Sequence, residues 1–185
     1  MTLLRSTVSG NQSGFGGGGA IFNFAGVLTI TNSTIGGNSS AGPGGGVLIR
    51  SGGSLNTLNA TITDNTASTG LGGGIDEEDG FVELHNSLLA ANLPADCDGL
   101  IDSLDNNLDS DNTCKLDEAN DLPGQDARLG PLAFNGGRSL THALLAGSPA
   151  IDAALSTTAP DTDQRGLDRL GAADIGSFEL QEADE

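Results

Sequence analysis

A repeat of 27 residues is the feature that most restricts how this chain can fold. Equivalent residues recur at this spacing in six columns, and the clearest column consists of Asn11, Asn38, Asn65 and Asn92. Glycine runs at 17–19, 44–46 and 72–74 lie in the middle of successive units. Because glycine destabilises helix interiors, these runs exclude a helical repeat.

Each unit instead predicts three short strands. In the unit that starts at Val27, aliphatic and threonine-rich runs cover residues 28–30, 34–35 and 47–49, separated by an asparagine corner and a glycine-rich loop. Neighbouring strands lie about 4.8 Å apart, so a strict period indicates a coil whose strands pair in parallel with those one turn later. We therefore predict an all-β fold, a right-handed parallel β-helix solenoid of three to four 27-residue turns with a C-terminal cap.

The same alignment predicts the interior and the corners of the solenoid. The predicted interior columns are Leu28/Leu55/Val82, Ile30/Leu84 and Ile35/Ile62/Leu89. Thr57 falls in the second column and is its one polar residue. Asparagine tolerates left-handed backbone and hydrogen-bonds along a stack. The predicted structural ladder consists of Asn11, Asn38, Asn65, Asn92, Asn32, Asn59 and Asn86.

The chain divides into three predicted segments: β-helix repeats at 1–96, an acidic loop or turn bracketed by cysteines at 97–121, and a cap region at 122–185. In the cap, Ser148 and Pro149 predict a helix start, and residues 174–179 predict a last short strand. Scarce positive charge lies beside carboxylates there, which favours an ion-paired cap closing the bottom of the solenoid over an active centre. The predicted network consists of Asp161, Asp163, Arg165, Arg169 and Asp174.

The 97–121 segment carries two candidate features. Cys97 and Cys114 most simply form a disulfide in an exported chain, since a metal-binding thiol pair would lack two further ligands at suitable spacing. Closely spaced carboxylates also suggest a calcium site, although the glycine and the bidentate glutamate of a calcium loop are missing. The candidate calcium ligands are Asp102, Asp105, Asp109 and Asp111.

The formal net charge of −18 argues against nucleic-acid binding, because few cations are present to replace phosphate counterions. This acidity suits a secreted or salt-adapted surface protein or a cation binder, and also a merely solvated surface.

The sequence contains no run of about 18 apolar residues, so it predicts no membrane span. No signal peptide is visible either. Met1 aligns with Leu28, partway through a turn. We therefore expect a C-terminal piece of a longer exported protein, with upstream β-helix turns as its neighbour.

Two stretches, LGPLAFNGGRSLTHALLAGSPAIDAA and TDQRGLDRLGAADIGSFE, resemble the C-terminal signature of the choice-of-anchor Q family of bacterial surface proteins. The repeats resemble those of right-handed, pectin-lyase-like β-helix proteins. This resemblance implies an extracellular or cell-surface protein that is usually longer and is held by a sorting signal. Neither an export signal nor that anchor is visible within these 185 residues, and we expect the export signal to lie upstream of them.

A parallel β-helix also supports polysaccharide lyases and hydrolases. Glycoside hydrolysis needs two carboxylates, and Asp76 and Glu78 are the candidates because they would share one face of an extended segment. No Trp or Tyr offers a stacking surface, and His142 fits a structural role better than a catalytic one. We therefore predict a non-catalytic stalk or adhesion module that contacts polysaccharide or another surface component. The alternative is a polysaccharide-active enzyme.

Overall fold

A computed structural model describes residues 1–181, which form strands and turns with no helix. Consequently, no helix in this part of the chain could cross a membrane. The strands, in chain order, are β1 (Thr2–Leu4), β2 (Thr7–Ser9), β3 (Gln12–Ser13), β4 (Ile21–Phe24), β5 (Val27–Thr31), β6 (Thr34–Gly36), β7 (Ser39–Ser40), β8 (Val47–Arg50), β9 (Ser54–Leu58), β10 (Thr61–Thr63), β11 (Thr66–Ala67), β12 (Ile75–Glu77), β13 (Phe81–His85), β14 (Leu88–Ala90), β15 (Cys97–Asp98), β16 (Ile101–Ser103), β17 (Leu108–Asp109), β18 (Leu122–Pro123), β19 (Leu129–Ala133) and β20 (Thr141–Leu144).

These strands form a parallel solenoid of about three turns, which confirms the predicted fold class. Sheet A contains β1, β5, β9, β13 and β16, and sheet B contains β2, β6, β10, β14, β17 and β18. Sheet C contains β3, β7 and β11, and sheet D contains β4, β8, β12 and β15. The register follows the sequence period, since Leu28 pairs with Leu55 and Ile35 pairs with Ile62. Sheet C adds a fourth, two-residue strand to the three predicted in each turn.

Successive side chains of a strand point to opposite faces of the sheet, so every second residue faces the solenoid interior. These inward residues are mainly aliphatic. Leu28, Leu55 and Val82 are buried in one column, and Ile30 and Leu84 are buried in the next. Thr57 lies between these two and is also buried. Its hydroxyl accepts a hydrogen bond from the Ser87 hydroxyl at 2.8 Å, so this polar residue has a partner inside the core.

The coil continues beyond residue 96 in shortened form. Cys97 pairs with Ile75, and Val82 pairs with Ile101 within sheet A. The acidic segment 97–121 therefore contributes strands to three sheets. The interior ends at Cys114 and Leu116, which are buried in the same cluster as the aliphatic columns.

The chain after β18 lies along the outer face of sheet B. Its β19 and β20 form an antiparallel hairpin, and a second apolar cluster joins Leu88 and Leu108 of the solenoid to Ile175 and Phe178. Polar contacts span more than one turn, since the Thr34 hydroxyl donates to Gln164 at 2.7 Å and the Ser177 N–H donates to the Thr61 hydroxyl at 3.0 Å. The predicted position of this segment at the bottom of the solenoid is therefore wrong. Outward threonines and leucines of sheet B offer it both hydroxyl partners and apolar area.

Two local predictions in this segment are also wrong. The chain makes a turn after Ser148, whose hydroxyl donates to Ala127 O, and Asp152 then adopts left-handed backbone with φ of 58°. A helix cannot propagate through that conformation. Residues 174–179 form no strand, because their backbone bonds to solenoid corners and threonines; Gly176 N, for example, donates to Asn86 O.

Candidate functional site

One column of asparagines stacks through the solenoid. The side chain of Asn38 donates to Asn65 Oδ1 at 2.9 Å, and Asn65 donates in the same way to Asn92. Each Oδ1 also accepts the backbone N–H of the asparagine one turn earlier. Asn11 begins the column with the same pair of bonds to Asn38. This column satisfies buried backbone donors at a corner that no strand ladder covers.

The other three asparagines have a different role. Asn32, Asn59 and Asn86 adopt left-handed backbone, with φ of 45°, 48° and 49°. Only Asn86 bonds to an asparagine of this group, at 3.3 Å from Asn59. Their remaining side-chain contacts fasten the C-terminal segment: Asn32 donates to Thr162 O, and Asn59 donates to Asp174 O. The two groups of asparagines therefore have the same spacing in the sequence but different roles: one forms a ladder within the solenoid, and the other holds the C-terminal segment.

The acidic corner holds the two candidate catalytic carboxylates. Asp76 is 2% exposed and accepts the Gly72 N–H at 3.2 Å beneath the preceding glycine-rich loop. Burial raises the pKa of Asp76, and the charges of Asp98 and Glu78 act in the same direction. A carboxyl group covered by backbone cannot donate a proton to a polymer outside.

The neighbouring acids are engaged as well. Glu78 forms a two-point ion pair with Arg50, which raises the pKa of that guanidinium. Glu77 accepts the N–H groups of Gly80 and Leu100, and Asp79 accepts a backbone N–H of the preceding turn. The structure therefore does not present Asp76 and Glu78 as an open pair of carboxylates.

The four candidate calcium ligands do not converge on one point. Asp109 is buried and accepts the N–H groups of Cys114 and Gly124 at 2.9 and 3.0 Å, and burial raises its pKa. Asp105 accepts hydrogen bonds from Asn120, and Asp111 accepts them from Thr113. Asp102 is exposed on sheet A. Within residues 1–181, no group of three or more acidic, histidine or cysteine side chains is placed to hold a metal ion.

Cys97 and Cys114 form the predicted disulfide, with their Cα atoms 4.8 Å apart. Both residues are buried, and Leu116 lies beside them at the end of the core. The bond therefore closes the interior of the solenoid at its last turn.

Two buried ion pairs lie within the described part of the charged network in the C-terminal segment. Arg165 Nε lies 2.7 Å from Asp163, and Arg169 lies 2.9 Å from Glu179. Asp161 takes part in the network through its backbone carbonyl oxygen, which accepts a hydrogen bond from the backbone N–H of Arg169. These contacts fasten the segment to itself while Arg169 also donates to the Asn32 side chain at 3.1 Å.

Asp174 acts as an acceptor rather than as an ion-pair partner. Its carboxylate accepts the N–H groups of Asp152 and Leu180 at 2.7 and 2.6 Å. Burial raises the pKa of Asp174 to about 6, and the charges of Glu179 and Asp152 contribute in the same direction. His142 is also buried, and its Nδ1 donates to Gly130 O at 2.8 Å.

Sequence reasoning missed three structural acids. Asp96 accepts hydrogen bonds from Asn92, Asp121 accepts them from Asn107 and Ser103, and Glu179 pairs with Arg169. None of them lies at the 27-residue spacing, so a search for the period could not find them. The one available signal was that Asp96 and Glu179 lie within five residues of the predicted residues Asn92 and Asp174, and no such signal marked Asp121.

Sheet A is an exposed face of the solenoid. Three large apolar side chains follow its edge, since Val27 is 63%, Phe81 70% and Leu100 82% exposed. The exposed acids Glu83 and Asp102 are register partners on adjacent strands of the same face. A row of exposed apolar side chains next to hydrogen-bonding groups is typical of a contact surface.

No protein-family model, curated protein or solved structure matches this chain in the comparisons. The geometry of these residues is thus the basis on which a function is inferred.

Proposed function

We propose that this chain is a non-catalytic extracellular surface module, a stalk or adhesion unit of the choice-of-anchor Q type. The proposal rests on the observation that the carboxylates of Asp76 and Glu78 both have partners within the protein. One carboxylate is covered by backbone and the other is paired with Arg50. Their hydrogen bonds support a structural role for the acidic corner.

The contact surface in this proposal is the outer face of sheet A. Its strands lie about 4.8 Å apart, so five of them make a flat face about 20 Å long. The exposed ring of Phe81 offers apolar area, while Asn56 and Glu83 offer polar contacts in the next file. Such a face suits the mixed apolar and hydroxyl surface of a polysaccharide.

The test is a screen of the purified chain on immobilised neutral and acidic polysaccharides, with and without calcium. Both retained protein and released fragments are measured. Retention without fragments is the expected result. A calcium requirement that is lost when Asp105 and Asp111 are changed to asparagine would indicate a cation site among Asp102, Asp105, Asp109 and Asp111. Fragment release that is lost in Glu78→Gln would overturn the non-catalytic proposal in favour of a polysaccharide-active enzyme.

Phe81→Ser tests the contact face directly. Serine already occupies the register position one turn earlier, at Ser54, so the variant is expected to fold. Retention should fall strongly in this variant. Phe24→Ser is the matched control, because Phe24 is 64% exposed on sheet D. Equal retention by both variants would refute the assignment of sheet A.

A further inference from the structure

Three of the six arginines line one cleft between the first turn and the C-terminal segment. The cleft has a volume of about 510 Å³, and its walls include Arg5, Arg138, Arg165 and Gln164. Among residues 1–181, no Asp or Glu lines it, although the chain contains 25 acidic residues. None of those acids precedes Asp64, so the first-turn side of the cleft belongs to an uncharged or basic part of the chain.

Arg5 occupies an unusual backbone position. It lies in the column of Asn32, Asn59 and Asn86, and its φ of 46° matches theirs. Left-handed backbone favours asparagine, whereas a long side chain there is disfavoured. Gly166 also lines the cleft, and a Cβ there would make an ordinary van der Waals contact with Arg5 Nη1 at 3.4 Å.

The three arginines differ in how they are engaged. Arg165 is neutralised by Asp163, donates to Asn135 O at 2.9 Å and stacks on Phe178 with its guanidinium carbon 3.8 Å from the ring centre. The guanidinium groups of Arg5 and Arg138 are exposed and have no hydrogen bond or ion pair with any residue in the described part of the chain. Arginine stays protonated in proteins, so two unneutralised positive charges face this cleft.

We propose that this cleft binds an oxyanion, the carboxylate of an acidic sugar or a phosphate group. Guanidinium groups bind carboxylates and phosphates through paired N–H donors, and Arg5 and Arg138 supply those donors. Ligand sites commonly have volumes of about 300 to 1,000 Å³, a range that includes this cleft. The overall negative charge opposes long-range attraction, but salt near 0.1 M screens it beyond about 10 Å. The site does not depend on the adhesive role proposed for sheet A.

The test is a titration of the ¹⁵N-labelled full chain, followed by amide NMR shifts at constant ionic strength. The probes are glucuronate, inorganic phosphate and, as the neutral control, glucose. Saturable shifts of Arg5 and Gly166 with glucuronate alone would identify a carboxylate site, and shifts with phosphate alone would identify a phosphate site. Shifts with both would identify a general oxyanion site. No saturable shift with either anion, or equal shifts with glucose, would overturn the proposal.

Variants locate the binding groups. Arg5→Asn introduces the residue that three later turns carry at this corner, so the fold should be retained. Its Kd for the bound anion should rise about tenfold or more, because hydrogen bonds to charged groups are strong. Arg138→Gln should weaken binding similarly. Arg128→Asn is the matched control, since Arg128 is an exposed arginine with φ of 50° that lines another cavity. Unchanged binding in both cleft variants would refute the assignment.

Discussion

The side chain of Asn92 donates to Asp96 Oδ1 at 2.8 Å, so the asparagine ladder ends on a carboxylate. Asp96 also accepts the Asn92 N–H and, through its other oxygen, the N–H and hydroxyl of Ser110. A carboxylate accepts hydrogen bonds at both oxygens and donates none, which suits the last position of a column of donors. In this way the solenoid changes from a 27-residue turn to a shorter one.

Asn65→Ala should destabilise the protein by about 2 to 3 kcal/mol. Asn65 is fully buried, and its removal takes the acceptor from the Asn38 backbone N–H and takes one hydrogen bond each from the Asn38 amide, Asn92 Oδ1 and Ile35 O. The free energy of unfolding in urea measures the effect. Asn11→Ala is the control, since Asn11 is exposed and should lose much less. Equal losses at both positions would contradict a buried structural ladder.

Glu179→Gln should destabilise the protein by about 3 to 5 kcal/mol, because it leaves the Arg169 charge buried without its partner. Glu78→Gln is the matched control. Its ion pair with Arg50 is partly exposed, and such pairs contribute about 1 kcal/mol or less. Urea unfolding of both variants gives the comparison. A smaller loss in Glu179→Gln than in Glu78→Gln would refute the importance of the buried pair.

Reduction of Cys97–Cys114 should lower the free energy of unfolding by about 3 kcal/mol, the value that chain entropy gives for a loop of this length. The same loss is expected for a variant with both cysteines changed to serine. Unfolding in urea with and without a reductant measures it. That double variant should be insensitive to reductant, and an unchanged wild-type midpoint after full reduction would contradict the prediction.

Acidification from pH 7 to pH 5 should stabilise the protein through Asp174 by about 1 kcal/mol. The pKa of Asp174 is about 6 in the folded state and near 3.8 when exposed, so in this interval the folded state binds the proton first. This stabilisation is lost as the pH rises through about 6. Urea unfolding at pH 5, 6 and 7 measures it at constant ionic strength.

Asp174→Asn is the control for this pH dependence. The amide cannot titrate, so the variant should show a smaller gain between pH 7 and pH 5, although the loss of one acceptor makes it less stable overall. Equal gains in both proteins would contradict the assignment to Asp174 and would leave the effect to other acids with raised pKa values, such as Asp76 and Asp109, or to the general relief of charge repulsion in a chain of net charge −18.

The sequence alone determined the repeating part of the fold. The columns of Leu28 and Ile35 and the asparagine columns follow from one period, because each turn contacts its neighbours in the same register. The disulfide between Cys97 and Cys114 also followed, since they are the only cysteines of the chain.

Only the tertiary structure decided where the non-repeating segment lies. Hydrogen bonds such as that from Thr34 to Gln164 join residues that are far apart in the chain, and no local pattern specifies such partners. The same packing covered Asp76, paired Arg169 with Glu179, and brought Arg5 beside Arg138. A period reports contacts between equivalent positions, whereas the candidate sites of this protein arise from contacts between positions that are not equivalent.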